Sequence, residues 1–180
     1  MNMISVEYLA QQIDLHKNPN YGVASIQYAP LVFDLFNKIG ANSISDYGAG
    51  KQKLFIALEA LGLRDFKYFA YDPAFPEYGE AKSADLVCCI DVLEHIEPEF
   101  VDKVIYDLSK ITINFGLYTV ATGPASKTLS DGRNAHLIQK PSSWWLSKFI
   151  NYFEIMELRS NSDKSFWVIV KSKYPQTKYN

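Results

Sequence analysis

Along the chain, short and nearly continuous apolar runs alternate with longer stretches in which apolar residues recur at helical spacing. The opening region, residues 6–39, holds two such helical stretches separated by the polar turn Lys17-Asn18-Pro19-Asn20. A strand is predicted at 43–47, running directly into Gly48-Ala49-Gly50. A helix follows, with Leu54, Leu58 and Leu61 on one face and Gly62 placed to cap its end. A second strand, 67–71, stops at Asp72-Pro73, because proline has no amide hydrogen to give to a ladder. The run 85–90 is apolar almost throughout, as a strand buried on both faces must be. Glu97-Pro98-Glu99 is expected to open a helix reaching about Lys110, with acid and proline where a helix start favours them. A strand at 115–122, a helix at 142–152 and two closing strands at 153–159 and 165–171 complete the pattern, the last two pairing as a hairpin across Ser160 to Lys164. Strands alternating with helices predict an α/β fold around a mostly parallel sheet.

The chemistry sits where the first strand meets its helix. A strand ending in Asp46-Tyr47-Gly48-Ala49-Gly50 lets the backbone approach a ligand with no Cβ in the way. A phosphate-cradling loop does not fit: Ser45 stands where its first glycine belongs, and Gln52 where serine or threonine must follow Lys51. A dinucleotide fingerprint is weakened, since Lys53 takes the place of its third glycine. Asp72, at the end of the second strand, carries a carboxylate able to accept hydrogen bonds from both hydroxyls of a ribose. Loop and acid together describe a nucleoside gripped by its sugar with no pyrophosphate to cradle.

On these residues the chain resembles class I S-adenosylmethionine-dependent methyltransferases. The segment Ser45-Asp46-Tyr47-Gly48-Ala49-Gly50 is similar to their first motif, Tyr71-Asp72 to their second-strand acid, and Asp91-Val92-Leu93-Glu94-His95-Ile96 to the segment after their fourth strand. The resemblance implies a three-layer Rossmann-like fold with a C-terminal antiparallel hairpin, and S-adenosylmethionine as cofactor. It places Asp46, Tyr47, Gly48 and Gly50 against the methionine part, Asp72 and Pro73 at the ribose, and Asp91 and Val92 beside the transferred methyl. The family usually inserts a helix and a third strand after the second-strand acid. Asp72 and Asp85 stand too close for both, so the third strand is expected to be missing or reduced to a loop, with Phe75 or Tyr78 giving apolar cover to the adenine.

Composition adjusts this reading more than it redirects it. With 180 residues, 48% of them apolar, the chain is expected to form one domain: a helical lid at 1–40, a cofactor-binding half at 41–125, and a substrate-side insertion, helix and closing strands at 126–180. The start lacks the basic opening and apolar run of a signal peptide, and no stretch approaches the roughly 20 apolar residues that span a bilayer. The adjacent Cys88 and Cys89 suit buried free thiols, which favours a cytoplasmic location, and no metal site is read from the sequence. Residues 126–180 hold 9 Lys and Arg against 4 Asp and Glu, whereas 1–125 hold 9 against 16, so an anionic acceptor would meet the basic last third.

The acceptor is expected to be a small molecule. His95 and His136 are the candidate catalytic bases. Arg133 offers a fork for a carboxylate or phosphate, and Asn134 a hydrogen-bonding amide. One of Trp144 and Trp145 is a candidate to flank a flat substrate, and His16, Tyr21 and Tyr28 to close over the site. A nucleic-acid acceptor stays open but is disfavoured by a pI of about 5.9. A non-catalytic cofactor-binding domain is the other alternative.

Overall fold

The computed structural model describes residues 3–160 and 164–174. Its strands are β1 (Ser43–Tyr47), β2 (Lys67–Tyr71), β3 (Ala84–Ile90), β4 (Thr112–Ala121), β5 (Phe153–Ser160) and β6 (Ser165–Ser172). Its helices are α1 (Val6–His16), α2 (Ser25–Lys38), α3 (Lys53–Ala60), α4 (Val101–Ile111) and α5 (Ser142–Phe149). The strands form one sheet in the order β2-β1-β3-β4-β6-β5. Pairing is parallel from β2 through β4, and β6 runs antiparallel to both β4 and β5. This is the expected mostly parallel sheet with an antiparallel closing pair; the turn at 161–163 lies outside the described residues.

Every residue of β1 and β3 is buried, so side chains alternating along these strands feed two separate cores. On one face Val87 and Cys89 of β3 and Tyr118 and Val120 of β4 pack with Val104 and Leu108 of α4 and Trp145 and Phe149 of α5. On the other, Ile44, Leu86, Cys88 and Leu117 pack with Val32 and Phe36 of α2 and Leu54 and Leu58 of α3. Cys88 and Cys89 are thus free thiols facing opposite layers. The three-layer architecture follows.

The chain passes from β2 to β3 through one short helical turn, Pro76–Tyr78, in which the rings of Phe75 and Tyr78 stack at 5.3 Å. No strand intervenes, β2 is left as the sheet edge, and the third strand is missing as the spacing predicts.

Local details differ from the pattern. Leu61 does not join the apolar face of α3; it is 45% exposed, because the helix ends one residue earlier at Ala60. Gly62, at φ +93°, reverses the chain, its amide and that of Leu63 donate to the carbonyls of Glu59 and Leu58, and Leu63 enters the core instead. Helix α4 begins at Val101 and not at Glu97. Residues 97–100 form a turn closed by Phe100 N–H on the Glu97 carbonyl, and the Glu97 carboxylate accepts from the backbone amide and hydroxyl of Ser5, the N-cap of α1. Helix α5 stops at Phe149, short of the predicted 152, and β4 starts at Thr112, directly after α4.

Candidate functional site

Three loops that leave the carboxyl ends of β1, β2 and β3 surround a cavity of about 120 Å³, the place where open parallel sheets receive ligands. Helix α1 closes it from above: Tyr8, Gln12 and His16 recur every fourth residue and so share its inward face.

The first wall is the glycine loop. The amides of Gly48 and Ala49 both donate to the carbonyl of Tyr71, at 2.7 and 3.0 Å, turning the chain across the end of β2. Gly48 takes φ +82° and Gly50 φ +47°. A Cβ on Gly48 would stand 2.3 Å from Cγ2 of Val92, so only glycine permits this approach of loop one to loop three.

Asp72 forms the second wall. Its Oδ2 accepts the Gly50 amide at 2.9 Å and its Oδ1 the Ala74 amide at 2.8 Å, which fixes the carboxylate while each oxygen keeps a free lone pair. Pro73 and Ala74 continue the lining. Asp46 also reaches the cavity. It is 3% exposed, accepts from the Tyr68 hydroxyl, and is pushed up to about 7 by burial, with the Asp72 charge adding and the Tyr68 hydrogen bond opposing.

Lys51 ties the roof to the glycine loop. Its ammonium donates to the carbonyls of Asn18 and Tyr21, at 2.7 and 2.8 Å. His16 lies between the rings of Tyr21 and Phe75 in edge contacts of 5.0 Å each, and its Cε1 would be 3.0 Å from a Cβ on Gly50. Its Nδ1 is buried with no hydrogen-bond partner among the described residues, as is Nε2 of Gln12. Burial first, then Lys51, hold the His16 imidazole below its ordinary value.

The third wall carries the ionisable groups. Asp91 sits at φ +59°, a strained backbone for a residue with a Cβ, and its amide donates to Thr119 Oγ1. His95 Nδ1 lies 2.8 Å from the carbonyl of Ala135, and His136 Nδ1 lies 2.7 Å from that of Gly123. A carbonyl only accepts, so both Nδ1 atoms carry the proton of the neutral ring and both Nε2 atoms present lone pairs. The rings meet edge to face at 4.8 Å, and one ligand atom from each of Asp91, His95 and His136 lies within 4.8 Å of the others. Glu94, wholly buried beside them, accepts the Ala121 amide through Oε1, while its Oε2 has no partner among the described residues. Burial, then the neighbouring Asp91, push this carboxyl up to about 8.

The structure thus gathers Asp46, Gly48, Gly50, Asp72, Pro73, Asp91, Val92, His95, His16 and Tyr21 around one cavity, with His136 against His95. Other candidates lie elsewhere. The Tyr47 side chain points to the opposite face of the sheet, where its ring packs on Tyr71 and its hydroxyl donates to Asp107. Trp145 is buried in the α4–α5 core, and Trp144 packs against that core beneath the Lys148 ammonium. Tyr28 packs among α2 and its neighbours. Arg133 is paired with exposed Asp131 at 2.7 Å and lies over the Tyr8 ring, outside the lining. Asn134 clasps its own loop, its amide bonding the Ala125 backbone and the His136 amide, so it positions His136 and offers nothing outward. Phe75 and Tyr78 stack on each other, and Tyr78 donates to the Gly50 carbonyl; neither reaches the cavity.

Tyr8, Gln12 and Glu94 were not singled out in the sequence. Stepping back four residues at a time from His16 finds Gln12 and Tyr8; Glu94 carries no signal of its burial except its place between Asp91 and His95.

No family model matches the chain, and no curated protein matches it in sequence. Solved structures do match in fold. A 1,6-didemethyltoxoflavin N1-methyltransferase from Burkholderia thailandensis, with S-adenosylhomocysteine bound, aligns over 92% of this chain and 89% of its own at 14% identity and TM-score 0.60. The N-methyltransferase NodS from Bradyrhizobium japonicum, also with S-adenosylhomocysteine, aligns over 93% and 100% at 8% identity and TM-score 0.52. A magnesium protoporphyrin IX methyltransferase from Synechocystis aligns over 92% and 93% at 15% identity and TM-score 0.53. The chain has the Rossmann-like fold these methyltransferases share. Among the described residues no helix is long and apolar enough to cross a membrane.

Proposed function

We propose that this chain is an S-adenosylmethionine-dependent methyltransferase that acts on a small-molecule acceptor. The observation that carries the reading is the Asp72 carboxylate, held by the Gly50 and Ala74 amides beside two glycines at positive φ, all facing one cavity.

The residues suit the cofactor part by part. Asp72 keeps two lone pairs for the ribose hydroxyls. Gly48 and Gly50 expose backbone where the methionine part would lie, and the unpartnered Gln12 Nε2 and His16 Nδ1 above them give polar atoms that bound ligand would satisfy. Bound S-adenosylmethionine supplies an electrophilic methyl group on a positive sulfur. The chain's work is to align an acceptor with that methyl and to exclude water from the pair. Asp91, His95 and His136 form the acceptor end, with neither Nε2 hydrogen-bonded among the described residues. Helix α1 and the segment to Gly22 act as the lid, and Tyr21 and His16 are its contacts.

The roofed cavity favours a small acceptor over a nucleic acid. The same geometry gives no support to an anion clamp at Arg133, whose guanidinium is already paired. The fold neighbours named above carry methyltransferase names and bound S-adenosylhomocysteine, which supports the cofactor assignment. Two assays test the reading together: thermal unfolding with S-adenosylhomocysteine or NAD, and methyl-label transfer from the cofactor into a metabolite extract. Stabilisation by the former alone, with label in a small product, is expected. Stabilisation by neither, with no label transferred, would overturn it.

A further inference from the structure

We propose that Asp91, His95 and His136 form a binding site for one divalent first-row metal ion, with Glu94 behind it, and that this ion holds an oxygen of the methyl acceptor. The metal site stands on its own geometry; the assignment of the acceptor rests on the methyltransferase reading.

Three observations converge. The first is the tautomer of the two histidines. In the neutral ring each Nδ1–H is committed to a backbone carbonyl, Ala135 for His95 and Gly123 for His136, which leaves each Nε2 lone pair for a ligand, and the two rings meet edge to face beside the Asp91 carboxylate. Backbone carbonyls holding the far nitrogen are the usual support of metal-ligating histidines, because they fix ring and tautomer together.

The second is distance. The three ligand atoms lie within 4.8 Å of one another. Around a cation with bonds of about 2.1 Å, neighbouring ligands stand roughly 3.4 Å apart. The set is wider than a closed coordination sphere, so binding must draw its members together.

The third is Glu94. Wholly buried beside Asp91, its carboxyl leaves Oε2 with no hydrogen-bond partner among the described residues, a polar atom that a hydrated ion at Asp91 would satisfy. The scaffold nonetheless builds it in: the Ala121 amide holds Oε1, and the Glu94 carbonyl accepts from Ile138 on the segment that carries His136. A cation at Asp91 would offset both acids.

Two imidazoles and a carboxylate favour manganese, iron, cobalt or zinc over calcium or magnesium, which prefer all-oxygen sets. Three protein ligands leave coordination positions open, and Asp91 and His95 line the cavity. The substrate class this implies is a hydroxyl-bearing acceptor. Its oxygen, bound to the ion, releases its proton to water and bonds to the methyl carbon as the carbon–sulfur bond breaks, the electron pair staying on sulfur as S-adenosylhomocysteine forms. In this arrangement His95 and His136 hold the ion and do not take the acceptor's proton.

Cobalt(II) titration of chelator-treated protein tests the site without cofactor. Visible d–d bands saturating at one equivalent are expected, with affinity reduced tenfold or more in His136→Gln and Asp91→Asn and unchanged in His16→Gln. The unmodified protein gives a second readout: manganese(II) should bind at one equivalent and enhance water proton relaxation, and zinc should displace it. No saturable cobalt bands and no manganese binding, or equal titrations in all variants, would overturn the site. Calorimetry with S-adenosylhomocysteine in excess chelator separates the two claims: binding there upholds the methyltransferase reading whatever the metal does. With both established, metal-dependent label transfer to a hydroxyl oxygen is expected, and transfer undiminished by the chelator would overturn the acceptor assignment.

Discussion

Gly48 is the position at which the least change should do the most. Alanine there would need φ +82° and would place a Cβ 2.3 Å from Val92. Gly48→Ala should therefore cost on the order of 1–3 kcal/mol of stability and abolish cofactor binding, and adding Val92→Ala should recover part of the stability only, as read by chemical denaturation. Asp46 gives a pH signature. Its carboxyl in the fold titrates at about 7, above the ordinary value, so the folded chain keeps a proton that the unfolded chain releases. The contribution of this group to stability is then full below about pH 4, falls as pH rises to about 7, and is flat beyond; Asp46→Asn should remove that decline from the pH dependence of unfolding. The place of the glycines and Asp72 on the cavity was legible because their types and spacing suit a tight turn and a strand-end carboxylate. Arg133, Asn134 and the tryptophans were not, because their partners at Asp131, Ala125 and the α4–α5 core are set by a loop path and a packing that one sequence does not display.

Elements were read more securely than their ends. The burial demanded by β1 and β3 left little choice of placement, whereas the start of α4 depended on Glu97 being drawn to Ser5 across the molecule, a contact with no local trace. Helix α1 shows the same limit: its period was plain, but not that its Tyr8–Gln12–His16 face would lie on the cavity, nor that Lys51 would hold the segment after it through the Asn18 and Tyr21 carbonyls. Those two hydrogen bonds lead to a prediction about motion. Lys51→Ala should lower the protection of backbone amides in residues 17–22 against hydrogen exchange by about tenfold, as the loss of roughly 1–1.5 kcal/mol of local hydrogen bonding implies, and leave β3 unchanged. Equal protection in both proteins would mean that the 17–22 segment is held without the Lys51 hydrogen bonds.

For the whole molecule, the sheet order β2-β1-β3-β4-β6-β5 explains how a six-stranded sheet frames the cavity. The three loops that line the cavity leave β1, β2 and β3, the adjacent strands at one end of the sheet, with β2 as its edge. Outside β2 the turn holding the stacked Phe75 and Tyr78 buttresses the glycine loop through the Tyr78 hydroxyl on the Gly50 carbonyl.

The central claim is that Asp72 and the glycine loop hold S-adenosylmethionine, and calorimetric titration of S-adenosylhomocysteine into the protein and into Asp72→Asn measures it most directly. Asparagine keeps one acceptor oxygen for the loop amides, and unchanged far-ultraviolet circular dichroism would establish that the fold is intact. One site in the unmodified protein and affinity at least tenfold weaker in the variant are expected. Equal binding by both, or binding by neither, would contradict it.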